Sequence, residues 1–86
     1  KNLDVYRRDA TGVDHLRGDL ALRLGLVEEA TQHYRTGVEW AAREGCPVEQ
    51  GRCLQGLAEL AKRRGNHAMA LQHLDRAATL FQQSMA

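Results

Sequence analysis

Residues 15–43, HLRGDLALRLGLVEEATQHYRTGVEWAAR, and residues 55–83, QGLAELAKRRGNHAMALQHLDRAATLFQQ, repeat one pattern at an offset of 40. The two segments share seven identities in 29 positions, where unrelated sequence of ordinary composition would share about two. Leu20 aligns with Leu60, Ala21 with Ala61, Arg23 with Arg63, Gly25 with Gly65, Ala30 with Ala70, and Gln32-His33 with Gln72-His73. The near matches keep size: Gly18 with Ala58, Gly37 with Ala77, Tyr34 with Leu74, Trp40 with Leu80. Small residues fall on small ones and large on large, which points to a shared packing rather than a shared composition.

Working outward, each unit reads as helix, tight turn, helix. Val13, Leu16, Leu20 and Leu24 recur at helical spacing over about 12–24, and Gly25 stops the helix as a C-terminal cap. Val27, Ala30, Tyr34, Gly37, Val38 and Ala41 form one stripe over about 27–44, ended by Gly45. Pro47 suits the first position of a third helix, where its missing N–H costs little. That helix carries Cys53, Leu54, Leu57, Ala58, Leu60 and Ala61, and ends in Lys62-Arg63-Arg64, cations suited to a helix C-terminus. After the Gly65-Asn66 turn, a fourth helix over about 67–84 carries Ala70, Leu71, Leu74, Ala77, Ala78 and Phe81. Glycine inside a helix costs about 1 kcal/mol against alanine, so Gly18 and Gly37 imply close helix approach as compensation. Gly37 and Ala77 leave room for the next helix along. The expected fold is all-α: antiparallel helical hairpins, four main helices, a short solenoid. One domain spans 1–86, with a leader at 1–11, one hairpin at 12–45 and a second at 46–86.

Composition narrows the function classes. Twelve Lys and Arg against eleven Asp and Glu give a formal net charge of +1, without the basic excess that nucleic-acid binding by the whole chain would need. No run approaches the roughly 18 apolar residues of a membrane span, and the front does not resemble a signal peptide. Lys1 is not a start methionine, so the chain reads as an excerpt of a longer protein. Cys46 and Cys53 sit about two helical turns apart, too far for a bridge within one helix. Reduced thiols in a cytoplasmic protein are the expectation. The eight glycines are dispersed punctuation with no phosphate-binding cluster, so no cofactor is expected.

The spacing resembles the tetratricopeptide repeat. That family's hairpin has a small residue inside the first helix, a glycine at the turn, then Ala, a large residue and Ala on the second helix. Gly18, Gly25, Ala30, Tyr34 and Gly37 match in the first unit; Ala58, Gly65, Ala70, Leu74 and Ala77 match in the second. The resemblance covers about 12–84, with a period of 40 in place of the family's usual 34. The stretch 56–81 is similar to repeats of large bacterial signalling ATPases and transcriptional regulators. The resemblance implies a protein–protein interaction module binding a peptide or partner helix. The alternative it implies is a structural, sensor or oligomerisation segment of a larger ATP-dependent regulator. Chaperone-binding members clamp a C-terminal carboxylate with Lys and Asn; those positions here carry His15 and Asp19, so that clamp is not implied.

Hairpins stacked with one hand line a concave surface with their first helices. His15, Asp19, Leu22 and Arg23 then face the groove from the first unit, and Arg52, Gln55, Glu59, Lys62 and Arg63 from the second. Arg23, Arg52, Lys62 and Arg63 suit an acidic or carboxylate-bearing peptide; a solvated helix face neutralised by Asp19 and Glu59 is the competing reading. Two hairpins leave apolar ends, so the end of the fourth helix, with Leu80, Phe81 and Met85, is expected to pack on a missing repeat of the parent protein or on another copy in a homodimer. Trp40 is expected to pack on the fourth helix or a neighbouring repeat. His33 and His73 repeat one another but lack companions for a metal, and Cys46 and Cys53 lack zinc-site spacing. His15 and His67 have no evident partner. Cys53 falls on the apolar stripe as a small core residue, and no catalytic constellation is present, so an enzyme is not expected.

Overall fold

A computed structural model of the chain describes residues 12–85; the expected leader at 1–11 lies outside them. Among the described residues the chain forms four helices and no strand: α1 (Asp14–Arg23), α2 (Val27–Glu44), α3 (Pro47–Arg63) and α4 (His67–Met85). α1 packs on α2, α2 on α3 and α3 on α4, and α1 also meets α3. The fold is all-α, with consecutive helices packed in a repeat-like arrangement.

The repeat is visible in the backbone of the turns. Gly25 adopts φ 80°, its N–H donates to the Leu22 carbonyl at 3.0 Å, and the Leu26 N–H donates to the Ala21 carbonyl at 2.8 Å. Forty residues on, Gly65 adopts φ 81°, its N–H donates to Lys62 at 3.0 Å, and the Asn66 N–H donates to Ala61 at 2.8 Å. This pair of bonds satisfies two carbonyls that a helix end otherwise leaves open, and the left-handed residue it requires is cheapest as glycine. Asn66 then starts α4: its Oδ1 accepts the Met69 N–H at 3.2 Å. Leu26 has no such side chain, and α2 instead places Glu28 and Glu29 in its first turn, where anions favour the helix N-terminus. Pro47 opens α3 as its first residue.

The core is organised around Tyr34, which is fully buried. Its ring lies between two glycines of neighbouring helices. A Cβ built on Gly18 of α1 would come 2.7 Å from Cζ, and one on Gly56 of α3 would come 2.6 Å from Cδ1. Ala21, Ala30, Cys53 and Leu60 complete this cluster, with Leu22, Val38 and Leu57 at its margin. Fully burying a large apolar side chain contributes about 1.5–3 kcal/mol, enough to outweigh the helix cost of either glycine. Gly37 lets α2 close on Cys53 of α3 and on Asp14 of α1, whose Cβ would be 2.8 Å from an added methyl. A second cluster of Ala58, Ala61 and Ala70 joins α3 to α4. The Phe81 ring closes that hairpin against Gly51, 2.6 Å from a built Cβ. Trp40 lies beside Gly12, where a built Cβ would be 3.7 Å from its ring.

Candidate partner-binding groove

Because α1 and α3 meet directly, their outward faces form one wall-to-wall hollow. His15, Asp19 and Leu22 line it from α1, Arg52, Gln55, Gly56 and Glu59 from α3, and the Tyr34 hydroxyl end from α2, around about 360 Å³ of open space. An adjoining hollow of about 240 Å³ is lined by Asp19, Leu22, Arg23 and Arg63. His15, Asp19, Arg52, Gln55 and Glu59 are thus brought together as the repeat register predicts, and Arg23 and Arg63 stand at one end. Lys62 is exposed and lines neither hollow.

Charge within the groove is partly committed. The Tyr34 hydroxyl donates to Asp19 Oδ1 at 2.5 Å. Burial first, and the Asp19 carboxylate second, push the phenol above its ordinary range, so Tyr34 stays a neutral donor. Arg63 Nε donates to Glu59 Oε2 at 3.2 Å, an exposed pair one helical turn apart. Among the described residues Arg23 and Arg52 have no ion-pair partner, and both are exposed. The groove therefore offers two uncommitted guanidinium groups and the Gln55 amide on a floor of Gly56 and the Tyr34 ring.

His15 corrects one expectation. Read locally it has no partner, yet its backbone N–H donates to Glu49 Oε2 at 3.1 Å and its Nδ1 lies 2.6 Å from Glu49 Oε1. Glu49 is a buried residue of α3 that sequence reasoning missed, because a glutamate in a first helical turn is accounted for by its own helix dipole. The same carboxylate accepts the Cys53 thiol at 3.5 Å. Burial and Glu49 push that thiol far up, which leaves it protonated and unreactive. Beside it Asp14 is buried and its Oδ2 has no hydrogen-bond partner. Burial raises the Asp14 pKa; Arg17 lowers it, Glu49 raises it, and His33 and His15 lower it. No group of three or more His, Cys, Asp or Glu among the described residues could hold a metal ion.

Of the residues expected at a dimer contact, Phe81 faces inward on Gly51, Leu80 is half-buried and Met85 is exposed. The exposed leucines of α4 are instead Leu71 and Leu74. No helix among the described residues is long and apolar enough to cross a membrane. Compared with protein-family models, curated proteins and solved structures, the chain matches none.

Proposed function

We propose that the protein is a tetratricopeptide-like interaction module that holds an acidic peptide segment of a partner protein in the groove between α1 and α3. The carrying observation is that Arg23 and Arg52 line this groove without internal ion pairs, while Asp19 and Glu59 are engaged by Tyr34 and Arg63. A carboxylate entering between them meets donors whose charge is not already answered, and arginine binds carboxylates in a planar, two-point geometry. The Tyr34–Asp19 bond ties the groove floor to the core, so the site is formed before a ligand arrives, which reduces the ordering cost of binding. A chain of this kind acts by binding and carries out no reaction of its own.

The test is a fluorescence-anisotropy titration against a synthetic library of acidic peptides. Reversal of Arg23 and Arg52 to Glu is expected to abolish binding of any peptide the parent selects, and added salt to weaken it. Binding that survives both changes excludes the groove.

A further inference from the structure

The two ends of the repeat carry apolar faces that no part of the described chain covers. On α1 Leu16 and Leu20, and just after it Leu24, are exposed at one-turn intervals; on α4, Leu71 and Leu74 are exposed. The repeat register says what kind of surface each face fits. Leu20 aligns with Leu60, yet Leu60 is 3% exposed under α2 while Leu20 is 60% exposed. Leu74 aligns with Tyr34, which is fully buried against α3, yet Leu74 is 44% exposed. The face of α1 thus lacks what α2 supplies to α3, and the face of α4 lacks what α3 supplies to α2.

We infer that α4 of one copy docks on α1 of a second copy, in the register that already joins α2 to α3, so that the protein associates head to tail. Moving the internal contacts by one repeat gives the pairing. Tyr34 against Gly56 becomes Leu74 against Leu16, an aromatic ring on a bare glycine exchanged for two aliphatic side chains that meet across the contact. Ala30 and Leu60, members of one buried cluster, become Ala70 and Leu20, the same residue types. Thr31 and Arg35 line one cleft with Leu57, Leu60 and Arg64. Their counterparts place Leu71 with Leu20 and Leu24, and Asp75 with Arg17. That last pair favours a second copy as the occupant, because the base it calls for stands at the matching position of this chain's own α1. Inside the chain the matching positions are Arg35 and Leu57, which carry no such attraction. Between copies an acid meets a base, and among the described residues neither Asp75 nor Arg17 has an ion-pair partner. The inference is independent of the groove, which lies on other faces of α1 and α3.

A contact of this type is heterologous and leaves one face open at each end of any oligomer. Sedimentation velocity of the protein over a concentration series is therefore expected to show growth beyond the dimer. Leu20→Glu removes the α1 face and Leu74→Glu the α4 face, and each spares the other. Each variant alone is expected to sediment as a monomer, whereas their equimolar mixture forms a dimer that does not grow. Both leucines are exposed in the single chain, so circular dichroism of the variants should match the parent. A second set touches no leucine: Asp75→Arg is expected to weaken association, and adding Arg17→Asp in the same chain to restore it. A parent that stays monomeric, a variant mixture that stays monomeric, variants that associate like the parent, or a charge swap that restores nothing would each overturn the inference.

Discussion

Glu49 of α3 caps the amino end of α1 through His15, whose backbone N–H and Nδ1 both face its carboxylate, at 3.1 and 2.6 Å. α1 begins after Val13, which has no side-chain cap to offer. An opening N–H that a helix normally satisfies locally is satisfied here from 34 residues away. The bond is local to α1 in its effect and tertiary in its origin, so the first helix and the second hairpin depend on each other.

Replacing Glu49 by Ala should therefore destabilise the whole fold. The His15 N–H loses its acceptor in a half-buried setting, a loss of about 1–2 kcal/mol by comparison with helix caps. Urea unfolding followed by circular dichroism checks this. An unchanged midpoint would show that the cap contributes nothing.

Asp14 predicts a pH dependence of stability. Burial raises its pKa above the usual 3.8, so the folded state binds the proton more tightly than the unfolded state. Its contribution favours folding below the unfolded value and is lost as pH rises through the folded value. Asp14→Asn removes the charge and is expected to be more stable than the parent at neutral pH. The advantage should shrink as pH falls toward about 4. Equilibrium unfolding at several pH values measures the difference. A parent and variant separated by a constant amount would contradict the burial effect.

Gly56→Ala separates packing from helix propensity. Propensity alone would stabilise an internal helical position by about 1 kcal/mol. The new methyl would instead drive into the Tyr34 ring, and overpacking costs about 1–3 kcal/mol. Net destabilisation is expected, and Tyr34→Leu in the same chain should relieve part of it, as Leu74 stands in the second unit. A double-mutant cycle by thermal melting reads the coupling; additive effects would place the ring elsewhere.

Tyr34→Phe should cost about 0.5–1.5 kcal/mol, the net value of one internal hydrogen bond. It also removes the hydrogen bond that holds the Asp19 carboxylate in place, so the acidic peptide selected by the parent should bind more weakly as the released carboxylate competes for the arginines. Binding that strengthens or stays unchanged would mean that Asp19 does not face the ligand.

The groove residues were legible because they follow from one periodicity applied twice. Once α1 and α3 share a face, Asp19 and Glu59, which stand 40 positions apart in the repeat, both fall on it. Lys62 fell outside although its neighbour Arg63 lines the adjoining hollow, because one step along a helix turns the side chain by about 100°. The helical spacing alone sets Phe81 at the outer end of the fold, but Gly51 opens a recess that its ring fills. Gly51 has no marked neighbour in sequence, and nothing local links it to a ring 30 positions on.

By itself, the sequence determined the four helices, their turns and the repeat of 40. These rest on short-range physics: a helical turn spans under four residues, and Gly25 and Gly65 accept left-handed angles that other residues resist. Only the tertiary structure decided which glycine faces Tyr34 from the far side, since Gly56 aligns with Leu16 and breaks the repeat at that contact. The structure also decided that Glu49 completes α1, and that Leu20 and Leu74 stay exposed where Leu60 and Tyr34 are buried. Such contacts depend on how helices far apart in sequence cross and slide. A shift of one residue along either helix would exchange every partner while leaving each local pattern intact.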